Sequence, residues 1–393
     1  MVVWSSNSDQ LFAGSHGGDI CLLRDLESIF AAPASLVASS LPLREGLGKG
    51  SSICDMKLTP DESRLLLCSH DCTLSRRHLD TQQEEVIDNT GDYDRWYTSV
   101  GISIALNCIL AADNRGNVKM FDSRLPGCLN QYSLHRSHKI GCIDIESRGH
   151  VFATSSNDRT CRVFDLRRLD SGHSQNYRSE LAIYPHDGVV SSGYFSPLVP
   201  YRLLTTSQND EVRVFDVSVA GELLPPKFVI PHSHKFYQHI TIIKASWHPL
   251  MKDVIAIGRY DRPRGLDMIS LSSNGSKDVS VQNTTSKKVE TILCVNSFSP
   301  NGRYLASATA NNVVLWTSHR YSHSFNHDLT SKGDQLKERV SSAIAAQASC
   351  LESFSRSDAS SAATQSLRRS NDESRAPLEL DFTAFEFKRP RSK

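Results

Sequence analysis

The chain has 393 residues, 44 Lys+Arg against 43 Asp+Glu, and 39% hydrophobic residues. That length holds two or three average domains or one large repeat fold, with enough chain to bury a sizeable core without disulfide or metal staples. A net charge of +1 excludes a polybasic tail protein and an acidic solvating chain, but leaves room for a local basic face that meets nucleic acid.

From the start, MVVWSSNSDQ has neither a basic region nor a long apolar stretch, so it does not read as a signal peptide. The best apolar run, Ile102 to Ala112, is broken by Asn107 and is too short to span a bilayer; no membrane partner is expected. Ten cysteines are scattered, and the closest pair, Cys68 and Cys72, is separated by three residues. Without a CxxC pair neither a zinc ribbon nor a redox dithiol is written; buried thiols in a reducing compartment fit better. The sequons at Asn274 and Asn283 are then read as chance.

Short β-branched runs recur, each led by Asp or Asn and often Gly: GGDICLL (17–23), CTLSRRHL (72–79), NRGNVKMFD (114–122), NDRTCRVFD (157–165), NDEVRVFD (209–216) and NNVVLW (311–316). Their centres at Ile20, Leu74, Val118, Arg162, Arg213 and Val314 are 54, 44, 44, 51 and 101 residues apart. The last gap is two periods and contains the weaker strand DMISL (267–271), which makes seven units with the period of WD-type propeller blades. In phase with them, LTPDESRLLL (58–67), FSPLVPYRLLTT (195–206), WHPLMKDVIAIG (247–258) and FSPNGRYLASA (298–308) share one template: an apolar strand ending in Pro, a turn, a second apolar strand. Pro has no N–H and closes a ladder, which is turn chemistry between antiparallel strands. The expected fold is all-β: a seven-bladed WD40-type β-propeller over residues 1–318, its radial closure leaving few free edges. The first blade reads as incomplete, because Met1 to Trp4 would be only the end of its first strand.

From residue 319 the chain turns Ser-rich, mixed in charge and poor in aromatics, a composition that cannot offset chain entropy by burial. Residues 319–393 read as a disordered tail with a short helix near Leu336 to Leu351. The terminal cluster Lys388, Arg389, Arg391 and Lys393 resembles a nuclear-import signal, and a solvated basic terminus is the alternative.

The most informative stretch is PHSHKFYQHITIIKASWHP (231–249). No acidic residue occurs from Leu223 to Lys252, whereas Lys227, Lys235, Lys244 and Lys252 do, with histidines at 232, 234, 239 and 248. Cations flanking an aromatic hairpin tip can hold phosphates while the ring enters a base stack, at least cost where pairing is already weakened. The alternative is that Phe236 and Tyr237 pack beneath an ordinary blade loop. Zinc on His232, His234 and His239 is disfavoured, with no cysteine or carboxylate close in sequence.

That stretch, with IAIGRY after it, resembles the family of the smaller, WD-repeat subunit of the UV-damaged-DNA-binding complex, damage-specific DNA-binding protein 2. The family's Phe-Gln-His triplet stands here as Tyr237-Gln238-His239, followed by Lys244-Ala245-Ser246-Trp247-His248-Pro249 and Gly258-Arg259-Tyr260. The resemblance runs over about residues 4–318, including GSHGGDI (14–20), ADNRGNV (112–118) and SSNDRTCRVFDLR (155–167). It implies a non-catalytic damage sensor in nucleotide excision repair, nuclear and chromatin-associated. Tyr237, Gln238 and His239 would wedge into the minor groove as damaged nucleotides flip out. Lys235 stands at an arginine of the family, a cation kept without the bidentate fork. Lys139 falls at a backbone-contacting lysine, Lys244 within the matched motif, and Trp96 at a tryptophan near the lesion; a core or rim tryptophan is the alternative.

The resemblance also implies a second partner: the large adaptor subunit of that complex, and through it a cullin–RING ubiquitin ligase for which this chain would be a substrate receptor. Asp165-Leu166-Arg167 and Asp122-Ser123-Arg124 carry the Asp-x-Arg pattern that meets the adaptor, with Arg167 the closest match and Arg124 beside it. A blade-capping salt bridge is the alternative. The family's helix–loop–helix arm and a DNA-contacting arginine, both preceding the first blade, are not in this chain. GLGKGSS (46–52) lacks the phosphate-loop order, and no nucleophile elbow, HExxH or paired catalytic carboxylate stands out, so no enzyme, cofactor or metal is expected. The rival reading is a WD-repeat chromatin or ubiquitin-ligase scaffold without lesion specificity; a propeller enzyme is a distant third.

Overall fold

The computed structural model describes residues 1–26, 40–44, 51–125, 127–169, 179–218, 224–234, 242–272, 278–285, 289, 291–309, 312–318 and 382–388. They form seven antiparallel sheets of four strands each, the expected propeller. The first strands of blades 1 to 7 are Val2–Trp4, Ile53–Leu58, Tyr97–Ser103, Ile140–Ile145, Val190–Phe195, Ser246–Trp247 and Val295–Phe298. The weak sequence match DMISL lies in Gly265–Leu271, the third strand of blade 6. Among the described residues no helix is long and apolar enough to cross a membrane.

The repeated Asp and Gly have a local cause. Asp113 Oδ1 accepts the backbone N–H groups of Arg115 and Asn117 at 2.9 and 2.8 Å, closing the turn between the second and third strands of blade 3. Asp158 does the same for Thr160 in blade 4, at 2.9 Å. Gly116, at φ +83°, completes the blade 3 turn, where a Cβ would lie 2.9 Å from the carbonyl of His138.

Second strands such as Cys108–Asp113, Val151–Ser156 and Arg202–Ser207 are buried at every position. Both of their faces meet protein, so alternation fades and small residues appear. Their hydroxyls are bonded rather than stranded: Thr154 Oγ1 lies 2.7 Å from His135 Nε2, and Thr205 Oγ1 2.9 Å from His186 Nε2. Indole N–H groups bridge blades. Trp247 donates to Tyr194 O and Trp4 to Ser297 O, both at 2.9 Å, the latter joining blade 1 to blade 7.

The first strand of blade 1, Val2–Trp4, has three residues, and Leu11–Gly14, Ile20–Leu23 and Ser40–Arg44 are the other three strands of that blade. One expectation about the ends changes. Blade 7 takes its fourth strand from beyond the expected boundary at 318, because Phe382–Lys388 lies beside Asn312–Ser318. FTAFEFK is rich in strand-forming aromatics that the Ser-rich average of the tail conceals. Pairing there covers backbone groups that an edge strand would expose. Residues 319–381 lie outside the described residues, as do Arg389, Arg391 and Lys393.

Candidate nucleic-acid interface

Each blade sends two connections to one face of the disc: the turn between its second and third strands, and the link from the preceding blade into its first strand. Backbone hydrogen bonds tie them together. Asn114 N donates to Trp96 O at 3.1 Å, Asn157 N to Lys139 O at 2.9 Å and Tyr260 N to Ser233 O at 3.1 Å. Trp96, Lys139, Ser233 and Lys244 therefore share this face, here called the upper face. On the lower face, Ser123 N donates to Asn107 O at 3.0 Å and Leu166 N to His150 O at 2.8 Å. Arg124, Asp165 and Arg167 sit there.

Lys139 precedes the first strand of blade 4, and Lys244 that of blade 6. Burial and the positive charge of Lys244 hold the Lys139 ammonium below the usual lysine range, against an opposing pull from Cys54. Among the described residues neither ammonium has a carboxylate within ion-pair distance. A half-buried Lys139 that feels a second cation, with no carboxylate paired to it among the described residues, is poised to gain from an external anion.

Trp96 is half-buried, on the rim rather than in the core. Its backbone N–H donates to Asn114 Oδ1 at 3.1 Å, and its ring stacks on His70 with centroids 4.9 Å apart. The indole N–H finds no acceptor among the described residues. Burial, then Lys139 and His16, pushes the His70 imidazole below its ordinary range.

Lys235, Tyr237, Gln238 and His239 lie outside the described residues. The chain reaches them through His232, Ser233 and His234 on the upper face. His232 Nε2 is 3.1 Å from Asp267 Oδ2, and His234 N donates to Asp210 Oδ1 at 2.9 Å. Beside them the Arg264 guanidinium stacks on Tyr260 at 4.6 Å.

The rest of the acid-free stretch divides between faces. Lys227 precedes the strand Phe228–Pro231, which crosses the disc, and pairs with Asp216 at 3.2 Å on the lower side. His248 and Lys252 follow Ser246–Trp247, which crosses back. His248 is no source of latent positive charge. Its Nδ1 accepts from Leu250 N at 3.1 Å and Met251 N at 2.9 Å, and burial pushes it down to about 4. Of the lysines expected around that stretch, Lys244 is the one that stands on this face among the described residues.

On the lower face the two Asp-x-Arg motifs adopt one geometry. Arg124 and Arg167 each donate Nε to the preceding Asp Oδ1 at 3.0 Å and Nη2 to Oδ2 at 2.8 Å. The capping salt bridge is therefore present, yet the Arg124 side chain remains 71% exposed and that of Arg167 53%. Arg124's fork holds the Asp122 carboxyl down at about 2. Exposed Ile104, Leu125 and Leu198 accompany these arginines.

A Thr154–His135–Asp158 array has the outline of a hydrolytic triad, with His135 Nδ1 2.8 Å from Asp158 Oδ2. Thr154 and His135 are both fully buried, so no substrate reaches them, and the array staples blade 4. No group of His, Cys, Asp or Glu among the described residues could hold a metal ion.

The WD domain, G-beta repeat model matches residues 126–165 and 280–317. DNA damage-binding protein 2 of Gallus gallus is 32% identical over 77% of this chain and 59% of its own length. The Danio rerio protein of that name is 30% identical over 77% of this chain and 58% of its own. Over about three quarters of its length the chain resembles this WD-repeat family. It spans about three fifths of the length of those two relatives. WD repeat-containing protein 76 of Mus musculus is 27% identical over 52% of this chain. Among solved structures, "Crystal Structure of Mitotic Checkpoint Complex" superposes with a TM-score of 0.61 at 14% identity, covering 79% of this chain and 83% of that one. That similarity concerns the fold alone.

Sequence reasoning did not find His70 under Trp96, the Asp267–Arg259 support beneath His232, or Arg264 on Tyr260. Only Gly258-Arg259-Tyr260 carried a signal, as part of the family motif. His70 carried none, because its partner lies in the next blade.

Proposed function

We propose that this chain recognises damaged duplex DNA with its upper face and is a sensor without catalytic chemistry of its own. Lys139 and Lys244 hold backbone phosphates. Tyr237-Gln238-His239, framed by Lys235, enters the stack at a weakened site, and Trp96 borders the space that receives extruded nucleotides. Tyr in place of Phe keeps the aromatic plane and adds a hydroxyl. Selectivity comes from how easily a lesion is unstacked and bent rather than from base-edge contacts. The observation that carries this reading is that Lys139 and Lys244, which pair with no carboxylate among the described residues, stand on the face where His234 leads into residue 235. The relatives named DNA damage-binding protein 2 support it.

On the lower face Arg167, Asp165 and Arg124 meet the large adaptor subunit of a cullin–RING ubiquitin ligase, linking detection to nucleotide excision repair on chromatin. The C-terminal basic cluster directs the protein to the nucleus. The deciding measurement is affinity for photoproduct or abasic duplex against intact duplex at one stated salt concentration. Preference for the lesion, lost on joint Tyr237→Ala and Gln238→Ala substitution, is expected; equal affinities overturn the reading.

A second reading, a chromatin or ligase scaffold without lesion preference, is favoured by the exposed Ile104, Leu125 and Leu198 beside Arg124. Recovery of histones or ligase subunits with flat DNA binding would select it.

A further inference from the structure

Three arginines stand on the upper face beside Lys139. Arg115 lies in the turn between the second and third strands of blade 3, Arg136 in the link into blade 4, and Arg159 in the second-to-third-strand turn of blade 4. Hydrogen bonds join these connections into one rim. Leu134 N and His135 N donate to Gly116 O at 2.9 and 3.1 Å, and Asn157 N donates to Lys139 O at 2.9 Å. The link that carries Arg136 and Lys139 is thus clasped on both sides by the turns that carry Arg115 and Arg159.

The three arginines are exposed, and none has a carboxylate within ion-pair distance among the described residues. The acids of the same turns face inward. Asp113 and Asp158 close their turns through backbone N–H groups and hold Arg95 Nε and His135 Nδ1, each at 2.8 Å. Their side chains are 2% and 13% exposed, so this sector keeps its negative charge inside and turns its positive charge to solvent. It ends at the link into blade 3, where Asp92 and Asp94 are exposed.

Two of these arginines stand where the backbone disfavours a side chain. In blades 1 to 5 the second-to-third-strand turns have one length, and the same position in each is left-handed: Gly18, Cys72, Gly116, Arg159 and Asp210. Glycine takes that conformation without strain. Cys72 is buried there, and Asp210 accepts His234 N at 2.9 Å, so each serves the fold. Arg159, at φ +66°, is exposed, and its side chain makes no hydrogen bond among the described residues. Arg136 stands at φ +37° in the same condition. A strained residue that gives the fold no contact points to a use outside the chain.

We propose that Arg115, Arg136 and Arg159 form a phosphate-holding arc beyond Lys139 that binds the backbone of duplex DNA, damaged or intact. A guanidinium is always charged, is weakly hydrated and presents a planar fork that fits two phosphate oxygens. Arginines set out along successive connections suit the repeated phosphates of a strand better than one small anion, which needs converging donors. Backbone contacts of this kind position a duplex without reading its sequence. The arc therefore adds affinity and orientation, and lesion preference stays with the residues named under the damage reading.

The inference shares with that reading only its ligand, DNA, and one experiment separates the two. Affinity for intact and photoproduct duplex is measured from about 50 to 200 mM salt. The chains are wild type, the triple variant Arg115→Gln with Arg136→Gln and Arg159→Gln, each single variant, and Arg159→Gly. The arc predicts that the plot of log affinity against log salt becomes shallower by about 0.9 per arginine removed. Both duplexes weaken by the same factor, so the lesion-to-intact ratio holds. Arg159→Gly should weaken binding without lowering the melting temperature, since glycine fills the equivalent position in blades 1 and 3. An unchanged slope in the triple variant, or a loss confined to damaged duplex, overturns the arc. So does an Arg159→Gly chain that binds at full affinity or melts below wild type, because the side chain would then serve the fold. If wild type binds both duplexes equally and the slope still falls in the triple variant, the damage reading fails and the arc stands. A lesion preference with an unchanged slope does the reverse, and no binding to either duplex ends both. If the triple variant does not fold, the single variants decide by the same slope.

Discussion

Trp96 lies over His70 with ring centroids 4.9 Å apart and planes 28° from parallel, a contact between the second-to-third-strand turn of blade 2 and the link into blade 3. A half-buried indole backed by a second ring is a rigid stacking surface. Its N–H, at the edge of the ring, lacks an acceptor among the described residues. Base–aromatic stacking contributes about 1–3 kcal/mol per base. Trp96→Ala is expected to weaken lesion-duplex binding by roughly 5- to 150-fold, with His70→Ala giving a smaller loss. Fluorescence anisotropy at fixed salt checks this. A lower melting temperature with unchanged affinity would make the pair structural.

Lys139→Ala and Lys244→Ala should each reduce the salt dependence of DNA binding by about one counterion, on damaged and intact duplex alike. Lys227→Ala and Lys252→Ala should leave that slope unchanged, since both residues stand on the lower face. The slope of log affinity against log salt separates the two pairs; a loss from Lys252→Ala would contradict the face assignment.

His248 supplies a pH test of the fold itself. Two backbone N–H groups donate to its Nδ1, and burial lowers its titration to about 4. His186 is likewise lowered to about 4, by burial first and then by Arg213. Both are neutral in the folded state, while the unfolded chain protonates near pH 6.5. Stability is therefore full above about pH 6.5 and falls as pH drops toward 4, by up to about 3 kcal/mol for each histidine. Thermal melts between pH 7 and 5.5, above most carboxylate titrations, should show the decline, and His248→Asn should make it shallower.

Arg124 and Arg167 share one hydrogen-bonded fork and remain largely exposed beyond it. Their replacement by Ala, singly or together, should leave lesion-duplex affinity unchanged and cost little stability, because each ion pair is solvent-screened. Binding to the ligase adaptor should fall. Calorimetry with the purified adaptor, beside DNA titrations of the same variants, reads both effects; lost DNA binding would place these arginines in the wrong role.

The strand Phe382–Lys388 closes the outer edge of blade 7. A chain ending at residue 381 would leave Asn312–Ser318 as an open edge. It is expected to melt at lower temperature and to self-associate at high concentration, observable by scanning fluorimetry and size-exclusion chromatography. An unchanged monomer with an unchanged melting point would show that this strand contributes nothing to the ring.

The repeat is legible in the order of residues alone. Asp113, Asp158, Gly116 and the Pro-ended turns act on neighbours a few residues away, so their spacing announces seven blades before any fold is known. The Tyr237-Gln238-His239 run and Gly258-Arg259-Tyr260 carried the family in the same local way. Faces were decided only by the tertiary structure. Whether a residue emerges above or below depends on how many strands have crossed the disc, and Phe228–Pro231 and Ser246–Trp247 separate Lys227, His248 and Lys252 from Lys244 despite their closeness in sequence. Convergence of Lys139 with Lys244, Trp96 with His70, and Asn312–Ser318 with Phe382–Lys388 likewise required the ring to close. Only closure sets the distance between residues whose attraction or repulsion leaves no mark on the chain around them.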